Sequence, residues 1–85
     1  MRLDKFLKVS RLIKRRTQAQ VACKNSRVFL NNRIAKSSAT VKIGDEIVIV
    51  SPVMKLRVRV KEIPETNRFS EELYVVLEQT RLDME

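Results

Sequence analysis

Leu3, Phe6, Leu7 and Ser10 recur at i, i+3, i+4 and i+7, which is one face of a helix, while Lys5, Lys8 and Arg11 fall away from that face. The spacing predicts a first helix that sends Leu3, Phe6 and Leu7 into a core and turns a cationic side outward. Asp4 falls in its first turn, where a negative side chain suits the positive end of the helix dipole and can hold Arg2 or Lys8. After Leu12 and Ile13 the pattern breaks at Lys14-Arg15-Arg16. Thr17-Gln18-Ala19-Gln20 then fits a capping box, in which the Thr hydroxyl and the Gln three residues on satisfy reciprocal backbone amides. A second helix is therefore expected from Thr17, with Arg16 just outside it. Ala19, Ala22, Cys23 and Ser26 share a face of small side chains suited to close packing on the first helix. Cys23 reads as a small buried residue rather than a nucleophile or ligand.

Asn25-Ser26 should end the second helix, with Asn25 in the left-handed conformation. Arg27 to Leu30 and Arg33 to Ala35 read as two short strands about an Asn31-Asn32 turn. A polar segment, Lys36 to Thr40, leads to the chain's single glycine in Gly44-Asp45, a turn before the apolar strand Ile47 to Val50. Beyond Ser51-Pro52, Leu56, Val58 and Val60 alternate with Lys55, Arg57, Arg59 and Lys61, the pattern of a half-buried strand with a basic outer face. Whether that face binds anything is left open by the sequence, since Lys and Arg also protect sheet surfaces and edges. A loop from Pro64 to Arg68 and a helical turn at Phe69 to Glu72 are expected before a last strand at Leu73 to Leu77. The charged segment from Glu78 to Glu85 reads as a frayed tail, with residues 81–85 disordered. One domain spans residues 1–80, with a core motif at about 2–50 and extra strands within 55–77.

Charge is the strongest functional signal. The chain of 85 residues carries 18 Lys and Arg against 10 Asp and Glu, a net charge of +8. Residues 1–42 hold 12 of the basic residues and one acid, Asp4, while residues 43–85 hold 6 basic and 9 acidic residues. Segregation of this kind builds an electrostatic face for a polyanion. Arg2, Lys5, Lys8, Arg11, Lys14, Arg15 and Arg16 lie within 15 residues and can engage several phosphates together. The arginines are the leading contacts, since a planar guanidinium can grip a phosphate through two hydrogen bonds.

With one cysteine and no histidine, the chain has no internal disulfide, no Cys/His zinc site and no imidazole for proton transfer. No cofactor and no metal are expected, and an enzyme would have to work from Asp4 or Asp45 without an acid or base partner. No apolar run approaches the length of a membrane span, so the expected location is cytoplasmic, without a membrane partner.

Arg2-Leu3-Asp4-Lys5-Phe6-Leu7, Arg16-Thr17-Gln18-Ala19, Arg27-Val28-Phe29-Leu30-Asn31 and Val41-Lys42-Ile43-Gly44-Asp45-Glu46-Ile47 together resemble the RNA-binding domain first defined in small-subunit ribosomal protein S-four. The chain is most similar to the family's short stand-alone members, the heat-shock protein 15 and RqcP (YabO) group. The resemblance implies an α+β fold of αL type, two N-terminal helices on a small bent antiparallel sheet. It also implies a non-catalytic factor that binds 23S rRNA and peptidyl-tRNA on the large ribosomal subunit. Such a factor acts beside RqcH during alanine tailing of stalled nascent chains. By matching position, Arg2 and Arg16 become the expected rRNA contacts, with Asp4 in the same surface and Lys5, Lys8, Arg11, Lys14 and Arg15 supporting them. The family usually has Gly where this chain has Ser26 and Asn32. A monomer is expected. The competing readings are a helix-turn-helix DNA binder and a generic binder of structured RNA; the first is disfavoured because the second helix has no arginine after Arg16 and before Arg27.

Overall fold

The computed structural model describes residues 1–64 and 73–82. Two helices, α1 (Leu3–Val9) and α2 (Arg16–Lys24), precede five strands: β1 (Val28–Leu30), β2 (Arg33–Ile34), β3 (Glu46–Val50), β4 (Met54–Val60) and β5 (Tyr74–Arg81). The strands form one antiparallel sheet in the order β2-β1-β3-β4-β5. This is the expected α+β architecture. The core collects Leu3, Phe6 and Leu7 of α1 with Ala19 and Cys23 of α2, and with Val28, Ile47, Val58 and Val60 of the sheet. Phe6, Leu3, Leu7 and Ile47 are completely buried, each worth about 1.5–3 kcal/mol in apolar transfer.

The start of α1 is held by backbone rather than by a capping side chain. The Leu3 and Asp4 amides donate to the Ala39 and Ser37 carbonyls at 2.7 and 3.1 Å. The Val41 amide donates in turn to the Met1 carbonyl at 2.9 Å, and Arg2 bridges to Thr40. The polar segment 37–41 is thus a strap that satisfies amides which an isolated helix would leave unpaired, and it fixes Arg2 and Asp4 in space.

Three helix boundaries differ from the sequence expectation. α1 stops at Val9, because Arg11 takes a left-handed φ of 63° and Leu12 and Ile13 turn back as half-buried flanks of the core. α2 begins one residue before Thr17: Arg15 is its N-cap, Arg16 its first helical residue, and no side chain caps it. The capping box does not form, and Gln20 bonds elsewhere. Thr17→Ala should therefore change stability by no more than about 0.5 kcal/mol in urea denaturation, against about 1 kcal/mol for loss of a working cap.

At the other end of α2 the left-handed residue is Ser26, at φ 60°, and not Asn25 at φ −88°. The Arg27 amide reaches the Ala22 carbonyl and the Ser26 amide the Cys23 carbonyl, both at 3.0 Å. That pair of bonds is the Schellman closure, which places its strained residue one position beyond the cap. Ser26→Gly should relieve this strain and raise stability by about 0.5–1 kcal/mol, or several degrees in a thermal melt. A lower melting temperature would show that the serine hydroxyl stabilises the turn.

Asn31 and Asn32, at φ 51° and 70°, make the expected tight turn between β1 and β2. The segment expected to fray from Glu78 instead continues β5 to Arg81, because Glu78, Gln79, Thr80 and Arg81 pair with Arg57, Leu56, Lys55 and Met54 of β4. Most of the expected 64–68 loop, the 69–72 turn and the end of the tail lie outside the described residues.

Candidate nucleic-acid interface

Asp4 is the centre of the site. It sits one residue inside α1 with its side chain 0% exposed, directly against the start of α2. Its Oδ2 accepts from Gln20 Nε2 at 2.9 Å and from Arg2 Nη2 at 3.2 Å. Its Oδ1 faces Arg2 Nε and Arg16 Nη2, both at 3.3 Å. Burial alone would push this carboxyl up, but hydrogen bonds from Gln20, Arg2 and Arg16, with the charge of Arg16, outweigh it and hold the pKa at about 2. The carboxylate therefore remains ionised at any physiological pH.

The two arginines are only half committed to this anchor. The Arg2 side chain is 51% exposed and that of Arg16 43%. Each guanidinium carries five donors in a fixed plane, so bonds to Asp4 leave outward N–H groups for a phosphate. Residues 14 positions apart in sequence are thereby joined on one carboxylate, their orientation set before any ligand arrives.

Around this pair Lys8, Lys14 and Arg15 are exposed, Lys5 is half-buried, and Arg11 is exposed on the turn between the helices. Among the described residues no acid pairs with Lys5, Lys8, Lys14 or Arg15. Lys5, Lys8, Arg11, Lys14 and Arg15 thus belong, as expected, to α1 and the turn that follows it. Asp4 corrects the sequence reading: it is no part of the surface, and its carboxylate can influence a ligand only through the arginines it holds. Arg16 lies within α2, not before it. Gln20 is the residue the sequence reading missed, having been given to a capping box. Its spacing of four from Arg16, on the same helix face, is the signal that could have found it.

Cys23 is buried, and its thiol is raised first by burial and then by the negative charge of Asp4, as suits a small core residue. The basic outer face of β4 is largely neutralised. Arg57 meets Glu46 at 3.1 Å and Glu78 at 3.6 Å, and Arg59 meets Glu46 at 3.2 Å. These cross-strand pairs neutralise the two arginines of the face, while Lys55 and Lys61 form no salt bridge among the described residues.

Among the described residues no helix is long and apolar enough to cross a membrane, and no three potential metal ligands cluster. Residues 1–47 match the S4 domain family. The chain is 49% identical over 71 residues to the RQC P-site tRNA stabilizing factor of Halalkalibacterium halodurans, covering 84% of this chain and 81% of that one. It is 43% identical over 84 residues to the protein of the same name from Bacillus subtilis, covering 96% of this chain and 98% of that one. Heat Shock Protein 15 of Vibrio cholerae, solved as a trimer, superposes with a TM-score of 0.79 at 27% identity, covering 89% of this chain and 80% of that one. A fold of two helices on a five-stranded sheet, the S4 match and identity along nearly the whole chain agree: the protein belongs to the S4-domain family, in the group of the RQC P-site tRNA stabilizing factors, the RqcP group.

Proposed function

We propose that the chain is a non-catalytic cytoplasmic factor that binds 23S rRNA and peptidyl-tRNA on the large ribosomal subunit. It would act as a monomer in quality control of stalled nascent chains, on the same subunit as RqcH during alanine tailing. The observation that carries this reading is the pair of half-exposed guanidiniums fixed on one buried carboxylate, amid Lys5, Lys8, Arg11, Lys14 and Arg15. The names of its relatives point the same way.

The mechanism is positional. Lysines and arginines displace counterions from RNA phosphates, which supplies affinity without sequence preference. The fixed fork of Arg2 and Arg16 supplies shape selection, because two guanidiniums held at a set separation fit only backbones that present phosphates at that spacing. No bond is made or broken.

Co-sedimentation with purified large subunits tests the reading. Subunits carrying peptidyl-tRNA should retain the protein at moderate salt, with affinity falling by about 0.7–0.9 log units per log unit of salt for each phosphate contact. No retention on such subunits would refute it. Equal competition by duplex DNA and by structured RNA would favour a DNA-binding role instead.

A further inference from the structure

A groove of about 520 Å³ lies beside the Asp4 cluster, between α2 and the strap. Gln20, Lys24 and Ser26 line one wall and Lys36, Ser37 and Ser38 the other, over a floor of Cys23, Ile34 and Ala35; among the described residues no acid lines it. We propose that this groove is a second phosphodiester-binding site, where Lys24 and Lys36 take the RNA backbone as it leaves Arg2 and Arg16. The proposal deepens the RNA-binding reading and rests on it.

Three features carry it. Arg16, Gln20 and Lys24 are spaced i, i+4 and i+8, so they form one face of α2 running from the arginine pair to the groove. The distance along the helix axis is about 12 Å, so one extended strand can reach both ends of this face. Gln20 joins the two sites directly: it donates to Asp4 and also lines the groove.

The opposite wall is tied to the same cluster, because the Asp4 amide donates to the Ser37 carbonyl. Both walls are thus placed by the framework that orients Arg2 and Arg16. Lysine ammonium groups and serine hydroxyls supply the donors that phosphate oxygens need.

The position near the end of α2 would oppose an anion if the last carbonyls were open, since a helix C-terminus is electronegative. Here those carbonyls are engaged: Val21, Ala22 and Cys23 accept from the amides of Asn25, Arg27 and Ser26. The two lysines therefore set the local charge.

The test compares Lys24→Gln/Lys36→Gln with Lys42→Gln/Lys61→Gln, which removes the same charge from exposed positions away from the groove. Binding to large subunits is measured across a salt series. The groove variant should bind about tenfold more weakly at low salt, with a log–log salt slope shallower by about 1.4–1.8, while the control keeps the wild-type slope. Equal behaviour of the two variants would overturn the proposal, leaving only net charge.

A second measurement does not depend on the subunit. Titration of isotope-labelled wild-type protein with a short RNA duplex should shift the amides of Lys24, Ser26, Lys36, Ser37 and Ser38 along with those of residues 2–16. Shifts confined to residues 2–16 would overturn the groove, as would equal shifts from poly-glutamate, which would mark a site for acidic peptide. Groove shifts without subunit binding would leave the groove standing and remove the ribosomal reading.

Discussion

Asp4→Asn should weaken binding to the large subunit even though it makes the protein more positive by one charge. Asparagine can still accept from Gln20, but it offers Arg2 and Arg16 no anion, so both guanidiniums lose the anchor that orients them. If affinity depended on charge alone, the substitution would tighten binding. The same change should cost stability. A carboxyl held at about pKa 2 when folded and near 3.9 when unfolded contributes about 2.6 kcal/mol, or about 10–20 °C in a domain of this size. Because the folded pKa lies below the unfolded one, that contribution is complete above about pH 5 and is lost as pH falls toward 2. Urea denaturation as a function of pH should therefore show wild type and Asp4→Asn far apart at neutral pH and converging below about pH 2. Parallel curves would mean that the carboxylate is not the stabilising group.

Loss of the arginines themselves should have the larger effect on binding. Arg2→Ala and Arg16→Ala should each reduce subunit affinity at least about tenfold, since a hydrogen bond to a charged group is worth about 1.5–3 kcal/mol; the pair together should exceed a hundredfold. Each single variant leaves Asp4 with one arginine and Gln20, so folding should weaken by about 1–2 kcal/mol, the lower part of the range for taking one partner from a buried group. The double variant strips the carboxylate to Gln20 alone, and burial then drives its pKa upward. Arg16→Lys separates geometry from charge: the ammonium restores charge without the planar fork and should recover only part of the affinity. Sedimentation binding and thermal melts on the same preparations read both effects. A single variant that unfolds would show that the arginines are chiefly structural.

Periodicity made the scaffold legible. Leu3, Phe6 and Leu7 announced the buried face of α1, alternation from Leu56 to Val60 announced β4, and Asn31-Asn32 announced a turn that needs two positive φ values. What stayed hidden depends on contacts between distant residues. The extension of β5 through Arg81 has no apolar signature, because it is made by backbone pairing with β4 on a sheet face that remains exposed. The absence of a cap at Thr17 and the role of Gln20 share one cause. Gln20 competes for two partners, and the buried Asp4 carboxylate, contributed by the other helix, outbids a local amide.

The site was legible in composition but not in arrangement. A run of basic residues shows that a cationic face exists; it does not show that the lone acid among the first 42 residues is its organiser. Burial distinguishes the two roles open to Asp4, and burial follows from the strap, whose carbonyls draw the first turn of α1 inward.

The most direct test is crosslink-mapping of RNA bound to the protein in cells, with wild type and Arg2→Ala/Arg16→Ala side by side. Wild type should crosslink to a single 23S rRNA neighbourhood on the intersubunit face and to tRNA, and the double variant should lose both. Crosslinks scattered over many RNAs, unchanged by loss of the two arginines, would contradict a shape-selective ribosomal site.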